Sequence, residues 1–300
     1  MYTPIVFFMG LLYCKRIPNK FYVSRSVKNM NQLLKSSIVI SLFSLSFMGC
    51  QTPEAQPKSV SPLTEQQVMA DAWYQTAGEV KALYHQGYNI GKTKLDMILT
   101  KGTEKKASIV LDLDETVVDN SPYQAMTVKT GKGYPYKWEE WIQQANAEAL
   151  PGAISFLQYA NEKGVAIYYI SNRKQNQLDA TLQNLQKLNI PQADKEHVLL
   201  QGKEEKGKEE RRKKVASEYD IVLFFGDNLS DFTGFDEKFV QDRNQAVEEM
   251  HEAFGEKFIM FPNPMYGDWE FALYQYNFKK SDAEKDKLRK DALRVFENEK

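Results

Sequence analysis

Cysteine, histidine and net charge are all scarce in this 300-residue chain, and each scarcity removes a class of function. Only two cysteines occur, Cys14 and Cys50, both in the first sixth of the chain. No disulfide framework and no cysteine-ligated zinc can therefore stabilise the remainder. The three histidines, His85, His197 and His251, stand far apart without ligand spacing. With 39 Lys+Arg against 40 Asp+Glu the net charge is -1, too little to gather a nucleic-acid polymer by its field. Any phosphate-bearing partner must be held by a local site. Long apolar runs are also missing: the stretch from Ile38 to Met48 falls well short of the roughly 20 residues that a spanning helix needs.

What the chain does have is a hydrophobic content of 42%, enough for a sizeable core in one large domain. Its N-terminal region reads as an export signal. From Met30 a short polar start with Lys35 leads into the apolar stretch and then Gly49-Cys50, the three-part layout of a signal peptide. The Gly-Cys end resembles a bacterial lipoprotein cleavage box, with Phe47 where that box usually carries Leu, and it implies lipidation at Cys50. Residues 1–49 are thus expected to be a signal region whose true start is Met30. Residues 50–65, polar and Pro-rich, are expected to be a lipidated tether, and 66–300 the folded domain.

Within that domain apolar, β-branched runs alternate with helical periodicity. A helical pattern covers Val68 to Leu99. Strands are expected at Ser108–Leu113, Val165–Ser171, His197–Leu200, Asp220–Gly226 and Lys257–Phe261, with helices between them. Continuous apolar runs mark strands buried on both faces, so the fold class is α/β, a three-layer Rossmann-like parallel sheet. The stretch 121–150, rich in aromatics and turn residues, breaks the rhythm; with 66–100 it is expected to form a smaller, mainly helical cap. Tyr134, Tyr136, Trp141 and Trp269 read as core residues, the usual fate of aromatics.

In open parallel sheets the site lies outside the carboxyl ends of the strands. Here those ends carry chemistry. The first strand runs into Asp112-Leu113-Asp114-Glu115-Thr116, the second into Ser171-Asn172-Arg173, and the fourth into Gly226-Asp227-Asn228-Leu229-Ser230-Asp231-Phe232. Clustered carboxylates repel one another unless a cation sits among them, and oxygen-only ligands point to Mg2+. A calcium loop is excluded because Val117 stands where its sharp-turn glycine is needed.

These runs, with a Lys after the third strand, resemble the four motifs of the haloacid-dehalogenase superfamily. The fuller forms VLDLDETVVDNSPY and VLFFGDNLSDF are similar to those of class C acid phosphatases, a family of bacterial surface lipoproteins, and FPNPMYGDWE extends the likeness. The resemblance implies that Asp112 is a nucleophile forming an aspartyl-phosphate. It makes Asp114 the general acid and base, with its main-chain carbonyl on the metal. Ser171, Asn172 and Lys208 would hold the phosphoryl oxygens. Lys203 and Lys206 compete for the lysine role; Lys208 is preferred because its spacing to Arg211 fits the family pattern. Asp227 would join Asp112 and Asp114 on Mg2+, with Asp231 acting through water or orienting Lys208. Trp138 and Tyr266 match positions that stack on the ring of a substrate.

The expected activity is Mg2+-dependent hydrolysis of small phosphomonoesters: nucleoside 5′-monophosphates, nicotinamide mononucleotide and aryl phosphates. The same resemblance implies a homodimer and a place in the bacterial envelope, anchored to the outer membrane through Cys50. A binding lipoprotein on the same fold and a phosphotransferase are the alternatives.

Overall fold

The computed structural model describes residues 62–236 and 238–296. The expected signal region and Cys50 lie outside the described residues, and the first described helix, α1 at Pro62–Glu65, starts slightly before residue 66. The order continues as α2 (Val68–Thr76), α3 (Gly78–Lys101), β1 (Ala107–Leu111), β2 (Val118–Asp119), α4 (Ser121–Thr130), α5 (Trp138–Gln143) and β3 (Glu148–Ala149). Next come α6 (Ala153–Glu162), β4 (Ala166–Lys174), α7 (Leu178–Lys187), β5 (Val198–Gln201), α8 (Glu209–Glu218) and β6 (Asp220–Gly226). The last elements are α9 (Val240–Glu249), β7 (Phe258–Met260), α10 (Asp268–Leu273) and α11 (Asp282–Asp291).

Five strands form one sheet in the order β5-β4-β1-β6-β7, every pair parallel. Successive side chains of a strand point to opposite faces. In β1, Ile109 and Leu111 accordingly enter one core with Tyr84 and Tyr88 of α3 and Phe156 of α6. Val110 enters the other, with Val215 of α8 and Ala246 of α9. Both faces are covered, which is why the β1 sequence is apolar at every position but Ser108 and fully buried. β1 sits at the centre, with Val110 level with Tyr168 on one side and Phe224 on the other. The expected sheet is thus present; only its boundaries move, by one to three residues.

The continuous helix read over Val68 to Leu99 is two. Ala77 takes an extended conformation (φ -76, ψ 131) and Gly78, a weak helix former, begins the second. This break separates two tasks. α3 lies against the sheet beside α6, so 78–101 contributes to a core layer rather than to a cap. Two of its glycines meet aromatic rings there: a Cβ on Gly87 would sit 2.4 Å from Phe261, and one on Gly91 2.6 Å from Phe225. α2 instead packs on α4.

On the buried face of α2, Asp71 is 4% exposed and neither carboxylate oxygen has a hydrogen-bond partner among the described residues. Burial pushes its pKa up to about 6. Because the folded value lies above the unfolded one of about 3.9, the charged form opposes folding above pH 6, and the penalty disappears as pH falls towards 4. Asp71→Asn is expected to gain about 1–2 kcal/mol at pH 7.5 and almost nothing at pH 4, measured by urea unfolding. An equal effect at both pH values would rule this out.

Candidate active site

Three parallel strands deliver the acidic and polar groups to one edge. β1 continues its pairing through Asp112, whose N–H donates to the Phe225 carbonyl at 3.0 Å. The chain then curls back, with the N–H groups of Val117 and Val118 both 2.9 Å from the Leu113 carbonyl. Glu115, inside this curl, adopts a left-handed conformation at φ 58. β4 brings Ser171, Asn172 and Arg173. β6 ends in Gly226, where only hydrogen fits: a Cβ would lie 2.3 Å from that of Asp231. A 3-10 turn, Leu229–Asp231, follows and folds Asp231 back so that its Oδ2 accepts from the Asn228 N–H at 2.9 Å.

Lys208, at the start of α8, is 4% exposed, and its Nζ donates to Asp112 and, at 2.7 Å, to Asp231. Lys203 and Lys206 are exposed, so Lys208 is the lysine of the 203–208 run that reaches the acids. Arg211 braces this corner. Its guanidinium donates to the carbonyls of Ser171 (2.6 Å) and Gly207 (2.7 Å) and to Asn172 Oδ1 (3.0 Å), tying the end of β4 to the start of α8. The exposed side chain of Asn172 is thereby engaged from below.

Among the described residues Asp227 accepts from neutral donors: Thr116 Oγ1 at 3.2 Å, Asn228 Nδ2 at 2.7 Å and Asn263 Nδ2 at 2.8 Å. Carboxylate oxygens of Asp112, Asp227 and Asp231 lie within 4.8 Å of one another, all buried. Burial raises the Asp112 carboxyl to about 7; Lys208 opposes the rise, and Asp231 and Asp114 add to it. Burial, with Asp231 and Asp112 nearby, also holds Asp227 well above the usual carboxylate range. Two of the three acids thus share the Lys208 ammonium, and the third has neutral donors. This excess of buried negative charge, with oxygen donors alone, suits a hard divalent cation.

The side chain of Asp114 has a separate set of partners. Arg173 grips it through Nη2 at 2.7 Å and Nε at 3.0 Å; Asn120 Nδ2 donates at 2.7 Å and Ser171 Oγ at 3.2 Å. Arg173 is itself fixed by Thr181, and Asn120 by the Trp141 indole N–H at 2.7 Å. Trp141 therefore orients a neighbour of Asp114 as well as packing against the core. Arg173, Asn120, Glu115 and Asn263 were given no role by sequence reading. All four stand inside motifs that sequence reading quoted, but nothing in sequence spacing brings Asn263 to Asp227.

Asp112, Asp114, Ser171, Asn172, Lys208, Asp227, Asp231, Trp138 and Tyr266 all line one cavity of about 790 Å3. Cys50 lies outside the described residues. On the far wall Trp138 meets Tyr123 edge-on at 4.9 Å and Tyr134 at 6.1 Å. Tyr134 is 65% exposed and lines the cavity, and Trp269 is 41% exposed, so neither is the core residue expected. Tyr134 sits in the Gly- and Pro-bearing turn between α4 and α5, where no further layer covers it. The cavity thus joins an acid-rich floor to aromatic walls.

Residues 34–269 match the sequence family described as HAD superfamily, subfamily IIIB (acid phosphatase). The chain is 71% identical to the class C acid phosphatase from Bacillus anthracis, over 78% of this chain and 99% of that one, with a TM-score of 0.78. A second structure, the class C acid phosphatase from Bacillus anthracis with tungstate bound, is 72% identical over the same shares, also at a TM-score of 0.78.

Proposed function

Since this chain belongs to the acid phosphatases of subfamily IIIB in the HAD superfamily and so hydrolyses phosphomonoesters, we propose that it works with Mg2+ through an aspartyl-phosphate on Asp112. Its substrates are ring-bearing phosphomonoesters: nucleoside 5′-monophosphates, nicotinamide mononucleotide and aryl phosphates. The observation that carries this reading is the sharing of Lys208 between Asp112 and Asp231 beside a third buried acid, Asp227, on the floor of an aromatic-walled cavity. The Bacillus anthracis relative binds tungstate, a tetrahedral oxyanion like phosphate, which supports phosphoryl recognition in this reading.

In this reading Asp112, Asp227 and the main-chain carbonyl of Asp114 hold the cation. When bound, it neutralises charge on the phosphoryl group. Ser171 Oγ, the Asn172 amide and Lys208 Nζ hold the phosphoryl oxygens, because phosphoryl transfer depends chiefly on positioning and charge stabilisation. A carboxylate oxygen of Asp112 forms a bond to phosphorus as the ester P–O bond breaks, and Asp114 gives its proton to the leaving oxygen. Water then attacks the phosphorus, Asp114 takes the proton, and the bond to Asp112 breaks to release phosphate. Arg173 and Asn120 hold the Asp114 carboxyl at one side of the cavity between these steps. Anchorage in the bacterial outer membrane through Cys50 and a homodimeric state belong to the same proposal; the signal layout of residues 30–50 supports the first.

Phosphate release from a nucleoside 5′-monophosphate is the test. Chelation is expected to lower the rate by at least about 100-fold and added Mg2+ to restore it. Release that is insensitive to chelator removes the metal from the scheme, and release from aryl phosphate alone removes nucleotides from the substrates.

A further inference from the structure

The loop between β7 and α10 is joined to the acidic floor at three places. Asn263 Nδ2 donates to Asp227 at 2.8 Å while its Oδ1 accepts from the Met265 N–H at 3.0 Å. Asn228 Oδ1 accepts from the Asp268 N–H at 2.8 Å. That approach is so close that a Cβ on Gly267 would fall 2.2 Å from the same oxygen. These two clasps fix the main chain on either side of Tyr266. Only the third acts on its ring: the Tyr266 hydroxyl donates to Glu115 Oε2.

Glu115 is built for that contact. It is completely buried, and its main chain is held at both ends, the N–H donating to the Val118 carbonyl at 2.9 Å and the carbonyl accepting from the Tyr84 hydroxyl. Its Oε1 accepts from the Asn120 N–H at 2.8 Å, and Oε2 accepts from Asn120 Nδ2 at 3.5 Å as well as from the tyrosine. A left-handed backbone at a residue other than glycine persists only where the surroundings over-determine it. Here it accompanies a carboxyl that meets the hydroxyl of the half-buried Tyr266.

We propose that Glu115 is a positioning residue: it fixes the angle of the Tyr266 ring and so sets the preference for phosphomonoesters whose leaving group carries a ring. The inference rests on the substrate reading above. It assigns a specificity role to the motif that also carries Asp112, although 151 positions separate Glu115 from the ring it holds.

The test compares a nucleoside 5′-monophosphate with glycerol phosphate in the full chain, in Glu115→Gln, in Tyr266→Phe and in the double variant. Each single variant is expected to raise KM for the nucleotide about tenfold more than KM for glycerol phosphate, with the larger effect on KM than on kcat. The double variant should be no worse than the poorer single one, because both act on one bond, which Glu115→Gln weakens by removing the charge and Tyr266→Phe removes. Equal KM changes for the two substrates, or effects that add, overturn the proposal. If Glu115→Gln fails to fold, Tyr266→Phe breaks the same bond from the other end and decides alone. A parent enzyme with no preference for the nucleotide would defeat the substrate reading itself; a parent that has the preference, with a Tyr266→Phe variant that keeps it, defeats only the role of Glu115.

Discussion

Asp112→Asn is expected to lower kcat for an aryl phosphate by about 10^4-fold or more, because an amide neither attacks phosphorus nor carries the phosphoryl group. The fold should survive the change. Asparagine keeps the shape of the side chain, the Asp112 N–H still pairs with Phe225, and Lys208 retains Asp231. Removing one of three crowded acids also relieves part of the repulsion on Asp227, whose carboxyl is raised first of all by burial. Thermal unfolding within a few degrees of the parent, together with loss of release at saturating substrate, is the expected pair of results. Activity within about tenfold of the parent would mean that another group attacks phosphorus.

Lys208→Ala should damage both stability and rate. The ammonium is buried between two carboxylates, and deleting one member of such a group leaves the others unpaired in a dry site, at a cost of about 3–5 kcal/mol. Loss of its contact to the phosphoryl group should lower kcat by about 10^2–10^3-fold besides. Urea unfolding at pH 7.5 reads the first effect and phosphate release the second. Millimolar Mg2+ is expected to recover part of the lost stability, since a cation among the acids does part of the work of the missing ammonium. An unfolding midpoint equal to that of the parent would show that the acids tolerate one another without Lys208.

The fold and the floor of the site were legible in the sequence for one reason: both depend on contiguous runs. A strand buried on two faces must be apolar throughout, and its carboxyl end must carry the polar chemistry, so ASIVL followed by Asp112 and Asp114 announces itself. Lys208 was legible only through its spacing to Arg211, and the structure gives that spacing a cause, since Arg211 ties the β4 end to the loop that carries Lys208. What could not be read depends on distance in the chain. The bond from Asn263 to Asp227 spans 36 positions, and that from Arg173 to Asp114 spans 59. The break at Ala77 was hidden because Trp73, Ala77 and Val80 keep helical spacing across it. Tyr134 was misread because periodicity reports which face of an element is apolar, and a turn has no face.

The centre of the sheet has a consequence for when this protein becomes an enzyme. β1, which leads into Asp112, needs β4 on one side and β6 on the other, and the loop carrying Asn263 and Tyr266 arrives only after β7. Pairings between distant segments close late, because the entropy of long loops must be overcome first. Asp112 and Asp227 meet only where β1 pairs with β6, the pairing of this sheet that spans the most residues, so the acidic floor is expected to assemble late in folding. A chain without the loop after β7 would also lack Asn263, which donates to Asp227.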